Sequence, residues 1–106
     1  MNIGLTDITI AQIQDIFKSY TEVDEAILYG SRAKQNYKPN SDIDLTIKGN
    51  NLSFSTLNKI SWQLDDLLLP YTFDLSLYNH ITETDILDHI KRVGVTFYKK
   101  DQVLIS

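Results

Sequence analysis

A chain of 106 residues with 42% hydrophobic and 23% charged residues has the composition of one ordinary globular domain, covering 1–106, with no room for a second core. It contains no cysteine, which excludes a disulfide framework and any thiolate metal site. The net charge of −4 argues against wide, nonspecific nucleic-acid binding, which needs a dense basic surface. The start, MNIGLTDITI, lacks a signal-peptide pattern and no apolar run reaches membrane-spanning length, so a cytoplasmic protein is expected.

The elements follow in chain order. Thr9-Ile10-Ala11-Gln12 has the form of a capping box, and Ile10, Ile13, Phe17 and Tyr20 recur at helical spacing, predicting a first helix that runs to Tyr20. EAILY, Glu25 to Tyr29, is a short apolar run ending at Gly30 and reads as a strand. IDLTIK, Ile43 to Lys48, alternates with period 2 and stops at the turn signal Gly49-Asn50-Asn51. From Ser55 to Leu69 a helix is expected, with Leu57, Ile60, Leu64 and Leu67/Leu68 on one face and Pro70 as its stop. TFDLSLY, Thr72 to Tyr78, alternates again. Thr82 opens another helix with Asp85 at the capping-box position, and Gly94 closes it. Val95 to Tyr98 is the last strand. The order αβαβαβαβ predicts an α/β (α+β) fold, a small mixed sheet backed by helices.

The chemistry concentrates in residues 29–44, YGSRAKQNYKPNSDID. Gly30 and Ser31 sit where a strand gives way to a short helix or turn, a junction that exposes backbone N–H groups and suits a phosphate. Arg32 can offer a forked donor to phosphate oxygens. Asp42 and Asp44 are i and i+2 at a strand's edge, so both should leave one face while Ile43 and Leu45 enter the core. Two carboxylates on one face repel unless a cation lies between them, and oxygen-only ligands favour a hard ion such as Mg²⁺. Asp74, flanked by Phe73 and Leu75, joins the cluster if its strand neighbours IDLTIK. Three acids about divalent metal, facing a phosphate-binding turn, suit nucleotidyl transfer.

The whole pattern LYGSRAKQNYKPNSDIDLTI resembles the Gly-Ser…Asp-x-Asp signature of the DNA polymerase β-like nucleotidyltransferases, and within them the minimal nucleotidyltransferase (MNT) group. The resemblance runs from the first helix through FDLSLY to the IKRVGVTFY tail. It implies a mixed nucleotidyltransferase core, two Mg²⁺ ions held by Asp42, Asp44 and Asp74, and ATP as substrate. It also implies a base-side role for Asp74 and a nucleotide-phosphate site at Gly30, Ser31 and Arg32. Gln35 stands where many relatives carry glycine. The resemblance further implies a partner, a small helical HEPN-domain protein in a hetero-oligomer resembling a toxin–antitoxin module. There the MNT protein transfers AMP to a tyrosine of the ribonuclease toxin.

Simpler readings cover the remaining residues. A lone Gly-Ser or Asp-x-Asp is common in turns and strand edges, so the combination at this spacing is what carries weight. Lys34 and Lys38 read as solvated, His80 and His89 as capping or surface residues, and the six tyrosines and Trp62 as packing. Lys91-Arg92 and Lys99-Lys100 read as helix-end and surface charges. Two functional classes remain in view: an AMP-transferring enzyme, with a protein or a small molecule as acceptor, and an antitoxin that masks its partner by contact alone.

Overall fold

Strands and helices alternate along the chain as the sequence pattern predicts. The computed structural model describes residues 2–100. Within them lie α1 (Asp7–Lys18), β1 (Glu25–Tyr29), α2 (Gly30–Ala33), β2 (Ile43–Lys48) and α3 (Phe54–Asp65). They are followed by β3 (Phe73–Leu77), a 3-10 turn (Tyr78–His80), α4 (Thr84–Val93) and β4 (Val95–Lys99). The sheet order is β3-β2-β1-β4. Strand β1 pairs antiparallel with both β2 and β4, while β2 and β3 run parallel. A parallel pair needs a long crossover, and α3 supplies it.

EAILY and IDLTIK coincide with β1 and β2, but the helix ends differ from expectation. Helix α1 is capped by Thr6, whose hydroxyl accepts from Thr9 N–H at 3.1 Å, so Thr9 is the donor of the cap rather than the cap. Asp7 in the first turn favours this earlier start by complementing the helix dipole. Helix α3 starts after Ser53 and stops at Asp65, well short of Pro70. Asp65 and Asp66 put negative charge at the negative end of the dipole, and Leu68 turns the chain with φ +55°. Helix α4 begins at Thr84 behind Glu83, which makes no side-chain cap bond.

The core lies on one face of the sheet. Ala26, Leu28, Ile43, Leu45, Ile47 and Phe97 meet Ile10, Ile13 and Phe17 of α1 and Ile60 and Leu64 of α3. Burying one such side chain is worth about 1.5–3 kcal/mol, and the alternation in β2 fixes which residues receive it. Trp62 departs from its expected packing role and is 67% exposed. It lies two residues from both Ile60 and Leu64, about 200° around the helix, and therefore faces outward. The other face of the sheet is different. Tyr29, Asp44 and Asp74 stand in one cross-strand row and Ile27, Thr46 and Ser76 in the next. Helix α4 lies against β1 and α2.

Arg32 also departs from expectation. It is 1% exposed and serves as a structural staple. Its Nε and Nη2 donate to the Ser41 carbonyl at 3.2 and 2.9 Å, Nη2 also reaches the Pro39 carbonyl at 3.4 Å, and Nη1 donates to the Ile3 carbonyl at 3.0 Å. The guanidinium lies 5.3 and 4.8 Å from the ring centroids of Tyr37 and Tyr71. A buried charge persists only when its donors are met, and here they are met by carbonyls, not aimed at a phosphate. Arg32 thereby ties the N-terminal segment and the 34–42 loop to α2. Within that loop Gln35 holds φ +62°, the left-handed conformation that favours glycine.

Arg32→Met should lower stability by about 2–4 kcal/mol in a denaturant titration, because buried carbonyls lose charge-assisted donors. An unchanged midpoint combined with lost nucleotide binding would return Arg32 to the phosphates.

Candidate active site

Three adjacent strands each deliver one part of the site at the same end of the sheet. Strand β1 ends in Tyr29 and hands over to Gly30, β2 carries Asp44 opposite Tyr29, and β3 carries Asp74 opposite Asp44. The parallel β2–β3 register therefore brings Asp74 beside Asp44, as the sequence reading required. Asp42 stands just ahead of β2 and is exposed; Asp74 is exposed as well, and Asp44 is half-buried.

Gly30 has φ +76°, and a Cβ there would collide with Oδ2 of Asp44. The glycine is thus required twice, for its backbone conformation and for the carboxylate packed against it. After Gly30 the chain closes at once into α2. The Gly30 carbonyl accepts from Lys34 N–H and the Ser31 carbonyl from Asn36 N–H, both at 3.1 Å.

Asp44 carries the electrostatic mark of its acidic neighbours. Burial holds the Asp44 carboxyl above the usual carboxylate range, and the charges of Asp74 and then Asp42 push it further. Tyr29 is raised too, first by burial and then by Asp74 and Asp44, with the Ser76 hydroxyl partly offsetting this. Ser76 Oγ is itself buried without a well-formed hydrogen bond among the described residues. An oxygen-only donor set with unrelieved repulsion fits a hard divalent cation completed by phosphate and water. Among the described residues, however, no three acidic or imidazole side chains are placed to ligate one ion. The acids feel one another's charge without forming a ready-made cage, as mutual repulsion dictates.

Two neighbours of the site were not legible as such in the sequence. Tyr29, read as a packing residue, presents its ring beside the acids; its place directly before Gly30-Ser31 was the available signal. His89, read as capping or surface, sits on α4 and accepts the Gly30 N–H at Nε2 over 3.0 Å. Its ring meets Tyr29 edge-on at 6.2 Å between centroids. Gly30 and His89 are 59 residues apart, and no spacing rule would have joined them.

Two outcomes follow. A carboxyl whose folded pKa exceeds its unfolded value binds more protons folded. The destabilisation it causes is absent below the unfolded pKa, grows as pH rises toward the folded pKa, and is full above it. Asp44→Asn should therefore raise the melting midpoint of metal-free protein at neutral pH, with the gain vanishing below about pH 3.9, the unfolded value. Thermal melts across pH check this, and a lowered midpoint at pH 7 would contradict it. Gly30→Ala should cost about 1–2 kcal/mol from the backbone alone, with further loss as Asp44 is displaced, read as a lower denaturant midpoint.

Known proteins share the family and the fold. The family model described as "Polymerase beta, Nucleotidyltransferase" matches residues 11–103. No curated protein matches the chain. Among solved structures, a chain of a toxin–antitoxin complex with AMP-PNP superposes with TM-score 0.68 at 18% identity, covering 92% of this chain and 77% of that one. The complex of a tri-AMPylated Shewanella oneidensis HEPN toxin with an MNT antitoxin gives TM-score 0.67 at 14% identity, covering 91% and 74%. A mutant MntA–HpeT toxin–antitoxin gives 0.65 at 17% identity, covering 92% and 76%. At these identities the likeness is one of fold, a mixed four-stranded sheet with its helices. The match to the family model spans nearly the whole sequence and settles the kinship: this chain belongs to the polymerase β nucleotidyltransferase family.

Proposed function

We propose that this protein transfers AMP from ATP, with Mg²⁺, to a hydroxyl of a partner HEPN-domain toxin, most simply a tyrosine, and so acts as the toxin's antitoxin. The observation that carries this reading is the row formed by Asp44 and Asp74 on neighbouring strands, with Asp44 seated against Gly30 at the start of the turn. Family membership supports nucleotidyl transfer. Folds like this one, solved with AMP-PNP and with an AMPylated HEPN toxin, support the nucleotide and the partner.

The chain's own residues divide the work by position. Gly30 lets Asp44 pack against the start of the turn, and Ser31 adds a hydroxyl there for a triphosphate. Asp42 and Asp44 would hold Mg²⁺, with Asp74 as third ligand; bound there, the metal would offset phosphate charge and lower the barrier to in-line displacement. Asp74, exposed like Asp42, stands on the far side of Asp44 from Gly30. It would orient an incoming hydroxyl and receive its proton as the oxygen attacks the α-phosphorus and pyrophosphate leaves. The half-buried Tyr29 ring walls the cluster from the α4 side and strengthens charge interactions within it. No helix among the described residues is long and apolar enough to cross a membrane, so nothing there opposes a freely diffusing partner.

Label transfer from α-labelled ATP with Mg²⁺ into host-cell lysate tests the reading. Wild type should label one protein band, and Asp42→Ala/Asp44→Ala should reduce the label by at least about 10³-fold, the order expected when charge stabilisation of a transition state is removed. A low-mass labelled product would move the acceptor to a small molecule. No label with any nucleotide, alongside a stable complex from the same lysate, would replace the enzyme by a contact antitoxin.

A further inference from the structure

The Gly30 N–H lies at the junction of β1 and α2, where it has no ladder partner, and an orphaned N–H in a half-buried place must be met by something. It is met by Nε2 of His89 at 3.0 Å. This makes the imidazole an acceptor at Nε2, which requires the neutral ring with its proton on Nδ1. The ring is itself held, edge-on to Tyr29 at 6.2 Å and half-buried on α4. The helix that carries it is anchored close by: Ile90 is 4% exposed, Gly94 N–H donates to the Ile90 carbonyl at 2.8 Å, and a Cβ on Gly94 would meet Cγ2 of Ile27 on β1.

From this we infer that His89 is a positioning residue of the site, a clamp that fixes the Tyr29–Gly30 peptide between α4 and Asp44. Gly30 is the residue least able to hold its own conformation, since it lacks a Cβ and populates many backbone states. Its φ of +76° must therefore be set from outside. Asp44 packs where the side chain would be, and His89 takes the N–H. With both contacts in place, the peptide plane that opens the Gly30-Ser31 turn has one orientation. Without the acceptor it gains others, and the turn offers a phosphate a blurred target. His89 touches neither the acids nor any reacting atom; it acts through Gly30.

The inference rests on the nucleotidyl-transfer reading for its ligand, and its test separates the two. The variants are His89→Phe, which keeps a ring against Tyr29 but offers no acceptor, and His89→Gln, whose Oε1 can accept. His89→Leu replaces Phe if the larger ring unfolds the protein. The ligand readout is the affinity of Mg²⁺–AMP-PNP by calorimetry. The acceptor-free variant should bind about tenfold more weakly, the size of one lost hydrogen bond, while His89→Gln stays near wild type. A merely structural role would not distinguish Gln from Phe at matched melting midpoints. The second readout is hydrogen exchange of the Gly30 amide, easily resolved in a chain with four glycines: protected in wild type and Gln, fast in Phe. Equal affinity in all variants overturns the clamp while leaving the transfer reading intact. If wild type binds no AMP-PNP and transfers no label, the transfer reading falls. The Gly30 amide then decides the clamp alone, since equal exchange in wild type and Phe overturns it and selective protection upholds it.

Discussion

The placement of one carboxylate, Asp44, governs the rest of the architecture. It leaves the polar face of β2 because Ile43 and Leu45 on either side are wholly buried in the core, and a slip of one residue would exchange the two faces. Its position forces the residue that follows β1 to lack a side chain, since Oδ2 occupies that space. It fixes what β3 must be as well. A parallel strand in this register sets Asp74 opposite Asp44 and Leu75 opposite Leu45, so one pairing completes both the acidic row and the apolar one. Core packing and site geometry are thus two faces of a single register.

The charges near the site are sorted by what answers them. Arg32, ten residues before Asp42 in sequence, is turned inward and bound to carbonyl oxygens of the Ile3 and 39–41 segments. The acids are left to repel one another, and burial raises Asp44 further. On the proposed function the anionic nucleotide would bring with it the positive charge that joins it to an acidic row, as metal accompanying phosphate does. The buried cation shapes the loop that ends at the aspartates, while an exchangeable one would serve the chemistry. This division explains how an acidic cluster and a buried arginine coexist so close together without pairing.

Much of this was legible in the sequence, for physical reasons that can be named. Period-2 alternation in IDLTIK and TFDLSLY identified the strands and set Asp44 on the face opposite Ile43 and Leu45, while Asp74 could join it only if the two strands were neighbours, as the β2–β3 pairing makes them. The glycine at position 30 was legible because few contexts require one between an apolar strand and a helix. What failed was of two kinds. Helix ends shifted by two to four residues where a competing cap or an adverse charge decided the matter, as Thr6 did for α1 and Asp65-Asp66 for α3. Contacts made across the fold were invisible. Arg32 reads the same in sequence whether its fork meets phosphate or carbonyl, and the bond between His89 and Gly30 exists only because α4 folds back over β1.

Gln35 carries a consequence for how such a chain can drift. It keeps a left-handed turn that would ordinarily favour glycine. The Gln35 and Asn36 N–H groups donate to the Arg32 and Ser31 carbonyls at 3.2 and 3.1 Å. A side chain in that conformation is strained by roughly 1 kcal/mol. Glycine relieves the strain but loses more backbone freedom on leaving the unfolded ensemble, a penalty of similar size. The two partly offset, so an exchange of glycine for glutamine costs folding less than the strain alone. The residue at that position can change while the turn keeps its shape, because the shape is held by the backbone bonds around it and not by the side chain.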